Sequence, residues 1–239
     1  MSSAPAILAF DTATSNCSRA ITRGDLHEGK VVGALSFDSG VTHSKRLLGA
    51  IDWLLQTTEM NIDDLSALAV GTGPGSFTGL RIGMAIAKGF AHGKGLPLIG
   101  ISSLDALALE VRSGRLTCVV MDARKKEVYC CFYRSAPDGR MIRCSDPAVM
   151  TAEELTALIK EPVTLAGGGV GVYSGILSEL LGDSAEYLPW IAAPKAENIG
   201  FLASGSLAAG DFLDIDSATP HYVRSSDAQL SLVSPQTSG

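Results

Sequence analysis

The sequence predicts an α/β protein of two lobes that meet at a cleft, the second lobe small. Two observations carry this. Short apolar strand-like runs alternate with amphipathic helical segments, the pattern of an α/β fold. Each half also opens on a buried strand whose end carries an acid followed by a small residue, Asp11-Thr12-Ala13 in the first and Asp122-Ala123-Arg124 in the second. In both halves the chain then turns back into another strand. The shared plan reads as an ancient duplication, with a first lobe at 1–112, a second at 113–224, and a tail rich in Ser, Gln and Asp at 225–239 that is expected to be disordered.

In the first half, Ile7-Leu8-Ala9-Phe10 is a short strand; strands at 17–22 and 31–37, separated by the turn Arg23-Gly24-Asp25, complete a meander. Residues 44–57 put Leu47, Leu48, Ile51, Leu54 and Leu55 on one helical face. A strand at 65–71 runs into Thr72-Gly73-Pro74-Gly75-Ser76, which no regular element accommodates. A second helix is expected at 77–91, a strand at 96–101, and a third helix opened by Ser102 and Asp105 at capping-box spacing.

In the second half, strands are expected at 116–121 and 127–133, with a turn at Pro137-Asp138-Gly139. Thr151 and Glu154 cap a helix running to 160. A strand at 163–166 leads to a glycine-rich turn at 167–171, and helices are expected near 173–181 and 196–209.

Composition removes several function classes. Of 239 residues, 46% are hydrophobic and 18% charged, so the chain is not disordered as a whole. A net charge of −6 argues against autonomous gripping of nucleic acid, which takes most of its affinity from neutralised phosphates. The five cysteines, Cys17, Cys118, Cys130, Cys131 and Cys144, are odd in number and hold no CxxC. They read as small buried hydrophobes in a reducing compartment, and Cys130 and Cys131 fall on opposite faces of a strand. No cationic leader or membrane-length apolar run is visible, so a cytoplasmic protein is expected.

Several catalytic signatures are missing. There is no P-loop, no G-x-S-x-G and no H-E-x-x-H, and His27, His43, His92 and His221 are scattered. Two motifs remain. Asp11-Thr12-Ala13-Thr14 can hold a phosphate or a hydrated metal, or can simply be a turn fixed by its own side chains. The segment from Gly71 to Gly83 offers glycines and a helix N-terminus to an anion, or is a rigid strand-to-helix turn.

The helix after that segment carries Gly79, Gly83, Ala87 and Ala91 four apart, with Leu80, Met84 and Lys88 beside them. The helix before it has Ala50 and Trp53 off its main stripe. Apolar residues on two sides of both helices predict that one side meets a partner, with burial inside the chain as the plain alternative.

Taken together, these segments closely resemble the TsaB family, bacterial subunits of the tRNA threonylcarbamoyladenosine machinery. The resemblance is carried by Ile7-Leu8-Ala9-Phe10-Asp11-Thr12-Ala13-Thr14, His43-Ser44-Lys45-Arg46-Leu47-Leu48 and Gly73-Pro74-Gly75-Ser76-Phe77-Thr78-Gly79-Leu80-Arg81-Ile82-Gly83. Gly100-Ile101-Ser102-Ser103-Leu104, Met121-Asp122-Ala123-Arg124-Lys125-Lys126-Glu127-Val128-Tyr129 and Pro220-His221-Tyr222-Val223-Arg224 add to it.

The resemblance implies a two-lobed actin-like, sugar-kinase-like ATPase fold with a ribonuclease H-like duplication. It implies a non-catalytic scaffold that binds and activates TsaD in a one-to-one heterodimer, with TsaE joining and tRNA met only through the complex. TsaD carries an H-x-x-x-H metal pair; here His43 is followed four residues later by Leu47, so no metal site is expected. The family pairs through its two first-lobe helices, which also form a homodimer when TsaD is absent. Carried onto this chain, that interface is His43, Arg46, Leu47, Ala50, Trp53, Leu54, Thr78, Leu80, Arg81, Gly83, Met84, Ala87 and Lys88.

No intrinsic cofactor is expected, with ATP or ADP at the subunit junction as the nucleotide option. A phosphate or nucleotide site, if present, would draw on Asp11, Thr12, Thr14, Gly73, Gly75, Asp122 and Gly168. The alternative is an independent small ATPase or kinase of the same fold, with Asp11 and Asp122 flanking a nucleotide and 167–171 near the adenosine. A peptidase, suggested by older family naming, has no visible nucleophile constellation.

Overall fold

The computed structural model describes residues 4–38 and 43–223, the side chains of 43–46 excepted. The tail at 225–239 and the side chains of His43 and Arg46 therefore lie outside the described residues.

The first lobe is built on β1 (Ala6–Asp11), β2 (Asn16–Arg23), β3 (Lys30–Asp38), α1 (His43–Thr57), β4 (Ala67–Gly71), α2 (Phe77–Lys94), β5 (Leu98–Ile101) and α3 (Ser103–Ala108). Its sheet has the order β3-β2-β1-β4-β5, with β1 antiparallel to β2 and parallel to β4. Both β1 and β4 are buried along their whole length, which is why they read as unbroken apolar runs. Alternation on β1 sorts the two faces: Leu8 and Phe10 meet Leu47, Ile51, Leu54 and Met84 of α1 and α2, while Ile7 and Ala9 face the other way. The second helix runs past the expected 91 to Lys94 and stops at Gly95, whose left-handed conformation suits a residue without Cβ.

The second lobe contains β6 (Leu116–Asp122), β7 (Glu127–Ser135), β8 (Met141–Arg143), β9 (Ala148–Thr151), α4 (Ala152–Leu158), β10 (Val163–Ala166), α5 (Gly168–Val172), α6 (Ser174–Leu181) and β11 (Ala185–Leu188). Its sheet order is β11-β10-β6-β7-β8, with β9 also on β7. The central strand β6 is antiparallel to β7 and parallel to β10, so the arrangement around β1 is repeated around β6. The duplication expected from the two strand-end acids is thus a property of the fold. Cys130 and Cys131 point into different cores, as adjacent strand residues must.

The chain then returns to the first lobe, which corrects the boundary at 224. α7 (Ala196–Ala209) packs through Ala196, Ile199 and Ala203 on Ile7, Ala9 and Ala20, covering the sheet face that α1 and α2 leave open. Leu213 N donates to Leu98 O at 2.8 Å and His221 N to Thr72 O at 2.9 Å. The first sheet has two apolar faces, and its second face is closed by this returning segment together with Ala106 of α3.

Three local expectations are also corrected. Ser102 stands at the N-cap of α3, but its side chain makes no capping bond. Asp105 instead accepts from Tyr133 Oη at 2.8 Å and pairs with Arg143 at 2.6 Å, partners from the other lobe that bind a carboxylate more strongly than a backbone amide. The glycine-rich 167–171 winds into α5 rather than an open turn. The strand expected at 96–101 begins only at Leu98, after Pro97. By contrast, the Thr151–Glu154 box forms reciprocally, with 3.2 and 2.8 Å bonds, although α4 ends at Leu158.

Candidate functional site

The duplicated strand ends face a cleft between the lobes of about 840 Å³. Thr14, Gly75, Asp122 and Gly168, from four separate segments, line it together. Asp11, Thr12 and Gly73 are not in its wall, and the reason is packing.

Asp11 is fully buried. Its Oδ1 accepts from Ala13 N at 2.8 Å and its Oδ2 from Ser103 Oγ at 2.5 Å. A Cβ on Gly71 would lie 1.9 Å from Oδ2, so Gly71 lets β4 close over the carboxyl. Burial raises the Asp11 pKa to about 6, against the lowering effect of its two hydrogen bonds. Thr12 is equally buried and donates to Gly79 O at 2.8 Å. The carboxylate thus has both oxygens committed and no open surface for a hydrated cation. Of the two readings open for this turn, Asp11 and Thr12 follow the internal one, a pin joining β1 to α3 and α2, and they take no part in a phosphate site in the cleft. Gly73, also buried, bonds Ser103 N through its carbonyl at 2.9 Å.

The same packing reassigns the small-residue ridge of α2. A Cβ at Gly79 would meet Thr12 O at 2.1 Å, and one at Gly83 would meet Thr12 Oγ1 at 2.4 Å. Ala87 and Ala91 sit in the core. The ridge therefore seats α2 on the end of β1. Of the residues expected at a partner interface, Leu47, Ala50, Leu54, Leu80, Gly83, Met84 and Ala87 are buried inside the chain and are corrected to core positions. Lys88 is half-buried and bonds Asp216 O at 3.1 Å. Trp53, Thr78 and Arg81 are exposed. The outward positions of the two helices include Leu48, 47% exposed, Gly49, Asp52 and Trp53, 51% exposed, on α1, with Arg81, Ala85 and Gly89 exposed on α2. Of the cysteines, Cys17, Cys118, Cys130 and Cys131 are buried as expected, and Cys144 is exposed. Burial raises the Cys130 thiol to about 12, which makes it unreactive.

On the second-lobe side, Asp122 keeps part of its carboxylate open to the cleft. Oδ1 accepts from Arg124 N at 2.9 Å and Tyr173 Oη at 3.2 Å. The hairpin after it holds Arg124, Lys125 and Lys126 at φ values of 62°, 52° and 63°. Non-glycine residues pay about 1 kcal/mol or more each for the left-handed conformation. Across the cleft, Arg81 lies 3.8 Å over the Phe77 ring and donates to Tyr222 Oη at 3.1 Å. None of Phe77, Arg124, Lys125 and Tyr222 was among the expected nucleotide-site residues, although all line the cleft. The signal available was the Arg-Lys-Lys run two residues after a strand-end acid.

Among the described residues no group of three or more His, Cys, Asp or Glu is placed to hold a metal ion, and no helix is long and apolar enough to cross a membrane.

The repeated sheets define a two-lobed actin-like ATPase fold. At the level of fold alone, component A of (R)-2-hydroxyglutaryl-CoA dehydratase from Acidaminococcus fermentans superposes with a TM-score of 0.50 at 13% identity, covering 85% of this chain and 99% of that one. The family model "TsaD: tRNA N6-adenosine threonylcarbamoyltransferase" matches residues 38–186. The Escherichia coli tRNA threonylcarbamoyladenosine biosynthesis protein TsaB is 34% identical over 234 residues, 93% of this chain and 96% of that protein. A Pseudomonas aeruginosa crystal structure, described as an uncharacterized protein with similarity to peptidase YeaZ, gives a TM-score of 0.77 at 29% identity over 92% of this chain and all of that one. A longer Mycobacterium leprae relative, the uncharacterized protein ML0378, is 40% identical over 143 residues, 60% of this chain and 38% of its own length. The chain belongs to the TsaB family.

Proposed function

We propose that this chain is a non-catalytic subunit that supports threonylcarbamoylation of the N6 amine of the tRNA adenosine next to the anticodon. It binds and activates a TsaD partner one-to-one, TsaE joins the assembly, and tRNA is engaged through the complex. TsaD performs the transfer of the threonylcarbamoyl group from an adenylate. The observation that carries the reading is the exposure of two large apolar side chains on α1, Leu48 and Trp53, next to Gly49, with the small residues Ala85 and Gly89 open on α2. A face of this kind can also hold two copies of the chain together when TsaD is absent.

The alternative, an independent ATPase or kinase, loses support at Asp11, whose carboxyl is sealed by Gly71 and Ser103. Asp11 and Thr12, buried with their oxygens engaged, do not fit a metal-bound phosphate, and the nucleotide option is ATP or ADP at the junction with TsaD. Light scattering after size exclusion, with the chain alone and mixed with TsaD, tests the reading. A one-to-one complex that Trp53→Glu abolishes is expected; a chain that ignores TsaD contradicts it.

A further inference from the structure

We propose that the hairpin tip Arg124-Lys125-Lys126, with the aromatic wall across the cleft, is a contact for the phosphodiester backbone and a base of a single-stranded RNA segment. The inference rests on the tRNA role proposed above and adds where on this chain RNA would touch.

The chain is acidic overall, at −6, yet three successive cations crown the turn between β6 and β7, and all three are exposed. Two acids line the cleft beside the tip, Asp38 at the end of β3 and Asp122, whose Oδ1 accepts from Arg124 N and Tyr173 Oη and whose Oδ2 lies 3.6 Å from the Arg124 guanidinium, so the three cations of the tip outnumber the acids. All three cations are left-handed, where glycine or asparagine would sit at lower cost. The tip is also held rigid, with Ala123 N on Glu127 O at 2.9 Å and Glu127 N on Arg124 O at 2.9 Å. A fixed, strained cationic loop presents its charge without the entropy loss of ordering on contact.

Phe77 and Tyr222 pack at 5.0 Å between ring centroids, with Arg81 stacked on Phe77. Aromatic and guanidinium planes beside a basic rim are what unpaired bases and their phosphates bind, whereas a purely acidic protein partner would need no stacking surface.

The test is fluorescence anisotropy of a labelled tRNA anticodon stem-loop, titrated with the chain–TsaD complex and with the chain alone, from 50 to 200 mM salt. The main variant is Arg124→Asn with Lys125→Gly and Lys126→Asn, residue types that suit a left-handed turn, so that the tip keeps its shape and loses only charge. Its RNA affinity is expected to fall at least about tenfold at 50 mM salt, with a slope of log affinity on log salt shallower by about 2 to 3. Tyr222→Ser is expected to weaken binding about tenfold with the slope unchanged, since stacking releases no counterions.

Unchanged affinity and slope in the tip variant would overturn the proposal. So would displacement of the RNA by inorganic phosphate or a mononucleotide at equal effectiveness, which would mark a small-anion site. Loss of TsaD association with RNA affinity retained would also overturn it, in favour of an acidic protein contact. If the wild-type chain does not join TsaD at all, the scaffold reading fails; RNA binding by the chain alone that the tip variant loses would then uphold the tip, and its absence would overturn it.

Discussion

Asp11 and Asp122 occupy the same place in two copies of one sheet, the end of the central strand, yet their surroundings are opposite. Asp11 is sealed beneath Gly71 and pinned by Ser103, while Asp122 stays in the cleft wall with Tyr173 and Arg124 as neighbours. The difference comes from the segments packed around each strand end. Beyond β1 the loop at 71–76 folds back, with Ser76 N on Ala13 O at 2.7 Å, and α2 settles glycine by glycine onto Thr12. Beyond β6 a cationic hairpin holds the neighbourhood open. A strand-end acid therefore does not by itself define a nucleotide site; the glycines opposite it decide whether it is reachable.

The comparison can be broken at four points. The largest effect is expected from Gly71→Val, which drives a side chain into the Asp11 carboxyl and should cost about 3 kcal/mol or more in chemical denaturation. A cost below about 1 kcal/mol would mean that the cover over Asp11 yields readily.

Asp11→Asn tests the buried charge. Because the folded pKa is raised from 3.8 to about 6, ionisation is disfavoured in the folded state. Wild-type stability relative to the Asn variant is then fully present below pH 3.8, declines as pH rises through 6, and levels off with a total change of roughly 3 kcal/mol. A flat difference across that window in urea titrations would contradict the burial argument.

Tyr133→Phe removes the hydroxyl that reaches Asp105 across the lobes. It should cost about 1 to 2 kcal/mol, with Asp105 still held by Arg143. The smallest effect is expected from Asp122→Asn, about 1 kcal/mol or less, since its partners Tyr173 and Arg124 can turn to solvent. Equal costs for Asp11→Asn and Asp122→Asn at every pH would erase the contrast.

Much of the fold was legible in the sequence because the central strands are buried on both faces and so appear as apolar runs ending in an acid. The helix at 196–209 was legible in extent but not in destination. Its apolar residues surround it, and no periodicity says which lobe it covers. The short strands β8, β9 and β11 carry too few residues for a period-2 signal. At the site, the spacing of Gly79, Gly83 and Ala87 correctly marked close helix packing, but spacing cannot tell a partner helix from the chain's own Thr12. Substitutions such as Gly83→Leu or Ala87→Glu therefore strike the core and do not probe association. The exposed face lies to one side of that ridge, at Leu48 and Trp53.

The central claim is that this face binds TsaD. Light scattering after size exclusion, comparing the wild-type chain with a Leu48→Glu/Trp53→Glu variant in the presence of TsaD, tests it most directly. A one-to-one complex for wild type, and separate elution of a variant with unchanged thermal unfolding, is the predicted result. A variant that still forms the complex, or a wild type that never does, would contradict the account.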